Sequence, residues 1–261
     1  MRKIGNRQAG RKLRIWPAVA IGLAALALMA PPAQAASAPA HKVEANTALY
    51  TFSYEYPQKA EAIAALRAWL DSDAARARRE IAASAREGAA DARQNGYPFN
   101  PYDASTSWQV VTDLPGWLSL SGMAADYTGG AHPNHGPIAL LWDKAAGQRR
   151  QALDLFASKA AFSAALKGPF CAALNRQRAE RRGAAIDPHS TDPFDACLDP
   201  AEAVVILGGA DHQHFTRIGL LLGPYAAGPY AEGDYEVTLP VSPAVLAAVR
   251  PPYRAAFAVG R

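Results

Sequence analysis

The sequence predicts an α+β fold, with mostly antiparallel sheets and two main helices packed on one side. Three observations carry this. Strand-like and helix-like segments come in clusters, not in the strict alternation of a parallel α/β sheet. Two long Ala- and Arg-rich stretches, near 59–92 and 158–181, carry apolar residues at helical spacing. Around them, short alternating runs are separated by Gly, Pro, Asn and Asp.

The first strand is Thr47–Tyr56, where apolar and aromatic residues alternate with a period near two until Pro57 stops it. A long amphipathic helix follows, with Ile63, Leu66, Trp69, Leu70 and Ile81 on its apolar side. The Arg/Glu run from Arg76 to Glu87 suits its solvated face. Turn residues from Asn95 to Tyr102 break the helix, and three strands are expected at 106–112, 117–127 and 137–143. A tight connection at Lys144–Gly147 leads into Gln151–Phe156. Ser158 then opens a second helix to about Arg181, with Phe162, Leu166, Phe170 and Leu174 at four-residue steps. Strands at 202–207, 214–222 and 235–239 follow, then a terminal helix over 243–249 with Ser242 as cap and Pro243 in its first turn.

The N-terminus has the three-part layout of a secretory signal. Six basic residues between Arg2 and Arg14 precede an apolar run from Trp16 to Ala30 and the small-residue site Ala33-Gln34-Ala35. Residues 1–35 are read as this signal, cut after Ala35, and 36–46 as a short tether. The apolar run is about 15 residues, short of the roughly 20 a spanning helix needs, so no stable membrane insertion is expected after cleavage. An uncleaved anchor is the alternative. The expected location is periplasmic or secreted. Of 27 basic residues, six lie in the first 35, leaving 21 against 23 acidic ones, a net of about −2. Such a balance offers no basic face for nucleic acid.

Cys171 and Cys197 stand 26 positions apart, and in an exported chain they are read as a structural disulfide. Free thiols, or a thiolate nucleophile, are the alternative. Two segments hold the remaining candidates, Asp126–Asn134 and Gly223–Pro240, both dense in Gly, Pro and Tyr. Tyr127, Gly129, Gly130, His132 and Asn134 in the first, with Tyr225, Tyr230 and Tyr235 in the second, are the candidate ligand-binding residues. Tyrosine offers a large contact area at low entropic cost and a polar tip. The plainer reading is structural: glycines that permit positive φ, a Pro-Asn turn, and rings covering the end of a sheet. His132 and His135, joined by His212 and His214 beside Asp211, could form a metal site. No nucleophile elbow, HExxH, phosphate loop or dinucleotide fingerprint occurs. No catalytic residue, metal site or cofactor is assigned.

Tyr127-Thr-Gly-Gly-Ala-His-Pro-Asn134, followed by a strand, a turn at Gly147 and Leu153-Asp-Leu-Phe156, resembles a family of exported domains. These domains form the outer, lysozyme-binding part of RsiV and the N-terminal, non-catalytic region of PdaC. Pro229-Tyr-Ala-Glu-Gly233 and Glu236-Val-Thr-Leu-Pro240 resemble the family's second half, and the likeness extends over roughly 48–259. It implies a PdaC-like half at 47–156 and an RsiV-like half at 157–261, joined in one compact unit. The anti-sigma segment and the deacetylase domain of those proteins are not implied for this chain. The expectation is a non-catalytic envelope domain that binds a protein, lysozyme-like, or peptidoglycan. The alternative is a metal-assisted hydrolase of wall glycan working through His132, His135, His212 and His214. An envelope-maintenance protein without a dedicated ligand is a third possibility.

Overall fold

The structure is a computed structural model that describes residues 41–260. The signal segment, its cut after Ala35 and the start of the tether lie outside them. The described chain is α+β, as the clustering of its segments predicts. A six-stranded sheet has the order β1-β2-β3-β4-β5-β6, and a three-stranded antiparallel sheet the order β7-β8-β9. All pairs are antiparallel except β2 with β3.

β1 (His41–Asn46) pairs with β2 (Tyr50–Tyr56), so the last six residues of the expected tether are part of the sheet. His-Lys-Val-Glu-Ala-Asn lacks the strong apolar alternation that marks β2, because one side of this edge strand faces solvent. A short turn of helix, α1 (Gln58–Glu61), leads to α2 (Ala64–Asn95). α2 is the crossover that lets β2 and β3 (Tyr102–Asp113) run parallel. Its buried Leu66, Leu70, Ala74, Ile81 and Ala85 form the stripe that packs on the sheet.

β4 (Trp117–Tyr127) and β5 (Asn134–Asp143) form the central hairpin, and β6 (Gln148–Arg150) pairs with the end of β5. Leu118, Leu120, Leu140 and Trp142 face the core under α2, whereas Trp117 and Leu141 face a second core. Successive side chains on a strand point to opposite faces. Strands buried on both faces therefore read as continuous apolar runs.

The second core lies between α3 (Lys159–Arg182) and the sheet of β7 (Val204–Gly208), β8 (Arg217–Leu222) and β9 (Tyr235–Pro240), closed by α4 (Pro243–Ala248). Ser158 caps α3 through a bond from the Ala161 N–H, 3.0 Å. The two main helices are shared out, one to each sheet, because each sheet has an apolar face that needs its own cover. Cys171 on α3 and Cys197 form a disulfide with Cα atoms 5.5 Å apart. Among the described residues no helix is long and apolar enough to cross a membrane.

Candidate functional site

The β4–β5 loop and the β8–β9 loop meet, although they are about ninety residues apart in sequence. Gly129, at φ +91°, turns the first loop in a backbone region that L side chains rarely adopt. The His132 ring then stacks on Tyr230, with centroids 4.0 Å apart and planes at 26°. Tyr225 lies 5.6 Å from Tyr230 and 6.4 Å from His132, and His135 meets Tyr230 edge-on at 5.8 Å. Four aromatic rings from two loops thus form one patch.

Hydrogen bonds set its polarity. His132 Nδ1 lies 3.0 Å from the Pro133 carbonyl, which can only accept, so the neutral ring carries its proton on Nδ1. Nε2 is then the acceptor for the Tyr225 hydroxyl, 3.3 Å away. Tyr230 Oη donates to the same Pro133 carbonyl at 2.9 Å and bolts the two loops together. His135 Nε2 is 3.2 Å from Asp234 Oδ1, within ion-pair range although no hydrogen bond forms. Tyr225 is 56% exposed and holds φ +65°, a conformation that costs a non-glycine residue about 1–3 kcal/mol and persists only where its surroundings impose it.

Those surroundings are three arginines at the end of α3. Arg178 is fully buried; its guanidinium donates to the carbonyls of Ala227 (2.9 Å), Asp195 (3.2 Å) and Ala196 (3.2 Å). Burial pushes its pKa down. Arg182 grips the Glu232 carboxylate with two bonds, 2.8 and 3.1 Å, and also bonds Asp195. Arg181 donates to the Asp234 carbonyl at 2.6 Å and lies 3.9 Å over the Tyr235 ring. Gly228 is buried beside this clamp, where an added Cβ would stand 2.1 Å from Glu232 Oε2. The arginines tie the loop that carries Tyr225 and Tyr230 to the segment beside Cys197. In the sequence they look like the charged end of an amphipathic helix, and only the Arg-Arg pair at 181–182 could have hinted at a fixed anionic partner.

The expected site residues divide. His132, Tyr225 and Tyr230 form the patch; Gly129, Gly130 and Asn134 shape the exposed loop next to it. Tyr127 ends β4, half-buried, in register with Asp103. Tyr235 departs from the expected surface: it is fully buried in the second core, with its hydroxyl on Glu232. Its place as the first residue of β9 turns the ring inward.

The four histidines of the hydrolase alternative do not share a site. His212 and His214 lie in the β7–β8 loop, with His214 Nδ1 2.9 Å from Asp211. That loop precedes β8, whereas the Tyr225 loop follows it, so the six residues of β8 set the two loops roughly 17–20 Å apart. Among the described residues no group of three or more His, Cys, Asp or Glu side chains could hold a metal ion.

Fold and site together define a two-sheet α+β domain that displays a braced aromatic patch at one end. Residues 43–135 match the family model described as deacetylase PdaC, a segment running from β1 to the start of β5. Two solved structures are similar. A DUF3298 family member from Bacteroides fragilis is 14% identical, with 77% of this chain and 89% of that chain covered and a TM-score of 0.49. A DUF3298 family protein from Pseudomonas aeruginosa is 17% identical, with 85% and 94% covered and a TM-score of 0.47. No curated protein matches.

Proposed function

We propose that this chain is an exported, non-catalytic domain of the cell envelope that recognises a ligand, a lysozyme-like protein or peptidoglycan, on the His132–Tyr225–Tyr230 patch. The observation that carries the reading is Tyr225: an exposed ring, held in a strained backbone, with its hydroxyl engaged by His132. A clamp centred on the buried Arg178, holding the loop of a large outward aromatic side chain, suits an anchor whose ordering entropy is spent before binding. The signal-like N-terminus supports export, and the likeness to PdaC over 43–135 supports a wall-associated setting.

Calorimetric titration of the exported protein with lysozyme and with peptidoglycan fragments tests this. One of the two probes should bind, and Tyr225→Ala should weaken it about tenfold or more, as expected of an aromatic hot spot, with the thermal midpoint unchanged. N-terminal sequencing of the same preparation should begin at Ala36. Absence of binding to both probes, or an unchanged affinity in Tyr225→Ala, overturns the recognition reading, and an intact N-terminus overturns the cleavage.

A further inference from the structure

A second surface runs along β5. Its inner side pairs with β4 along the whole strand, whereas β6 covers its outer side only from Leu141 to Asp143. No other backbone bond to 134–140 occurs among the described residues. Pro137 has no N–H, so the ladder to β4 is unbroken only if the odd positions point outward. The Pro137 carbonyl and both backbone groups of Ala139 are then left without a protein partner, although 137–139 are half-buried.

This free edge lies in a cleft of about 680 Å³ between α2 and β7. Trp69 and Arg76 line it from the helix, Val204 and Leu207 from the strand, and Arg149 and Lys159 from β6 and the start of α3. From Pro137 to Leu141 the edge spans roughly 13 Å, the length of a four-residue strand. Half-buried, unmade backbone bonds between apolar walls are what an added strand satisfies. The charges select its kind. The cleft holds four cationic side chains against Asp73 and Asp154. Arg76 is already held by Asp73 and Glu80, but Arg149 and Lys159 make no ion pair among the described residues. Arg149 instead lies 5.2 Å over Trp69. Arg150 Nε is buried without a hydrogen bond, 3.5 Å from Asp143 Oδ2.

We infer that the free edge of β5 is a docking groove for an extended peptide segment that carries carboxylates at the end next to Arg149 and Lys159. The main chain of the guest pairs with Pro137 and Ala139. Its alternate side chains enter the apolar walls, and its acidic end meets the cations. None of the groove residues named belongs to the aromatic patch, so the inference stands or falls separately from it.

The test is selection of displayed peptides of about ten residues, acidic at one end, on the full chain. A selected peptide should slow amide exchange at Ala139 about tenfold or more. Methylating its alternate backbone nitrogens should weaken binding about tenfold. Arg149→Glu with Lys159→Glu should weaken it about tenfold too, at an unchanged thermal midpoint. The inference is overturned if no peptide is enriched over that double variant, or if Ala139 exchanges as before in the complex. It is equally overturned if decanoate, an anion without a main chain, occupies the cleft while no peptide does.

Discussion

Glu232 ties two elements, α3 and β9, to its own loop. Arg182 holds it from α3, the Tyr235 hydroxyl from β9, and its own backbone carbonyl takes Arg181. The Arg182 guanidinium holds its carboxyl below the ordinary 4.5. Asp195, bonded by Ser190 and by Arg182, is also held below its ordinary 3.8. A carboxyl whose folded pKa is depressed stabilises above its unfolded value, and the contribution is lost as pH falls through the folded one. Stability should therefore be level above about pH 5 and decline below about pH 4, starting at the loop that carries Tyr225. Glu232→Gln should flatten that acid limb in pH-dependent denaturation; an unchanged limb would show that the clamp does not control it. The two loops of the patch were legible as Gly-, Pro- and Tyr-dense segments flanked by strands. What Arg178 does was not, because a buried arginine inside an alanine-rich helix has the same sequence pattern as a solvated one.

At the scale of elements, the register of α2 on the large sheet is set by a buried polar chain. Trp108 Nε1 donates to Tyr54 Oη at 2.9 Å, and Tyr54 Oη donates to Asp73 Oδ2 at 3.0 Å. Burial pushes the Tyr54 hydroxyl pKa up, so it remains a donor across the accessible pH range. Tyr54→Phe strands the Trp108 N–H and one acceptor of Asp73, and should cost about 1–3 kcal/mol in urea unfolding. A loss near zero would mean that water replaces the hydroxyl. Helical periodicity made α2 and α3 readable, alternation made β2 readable, and apolar runs bounded by turn residues made the β4–β5 hairpin readable. β1 and β6 were missed because His41–Asn46 and Gln148–Arg150 are short, polar edge strands whose pairing is decided by their neighbours. The parallel pairing of β2 with β3 was missed for a related reason: nothing local records that a 32-residue helix carries the chain back to the same side of the sheet.

At the scale of the molecule, the disulfide and the arginine clamp form one device. Cys197 follows Ala196, whose carbonyl is held by Arg178, and Arg178 reaches Ala227 in the Tyr225 loop. Replacing Cys171 and Cys197 by Ser should lower stability by about 3–4 kcal/mol in the chain-entropy account of a loop of this size. The same change should raise amide exchange at 223–234 above that of the rest of the small sheet. Equal exchange throughout would separate the disulfide from the loop. The cysteine pair was legible from count and spacing, whereas the coupling depends on contacts that no spacing records. His132 and Tyr225 touch across 93 positions of chain, on loops whose strands belong to different sheets, so their contact exists only once both cores have closed and met. The patch is thus a certificate of completion: a truncated or half-folded chain has the tyrosines but not the surface, and a partner of the kind proposed would receive only finished molecules.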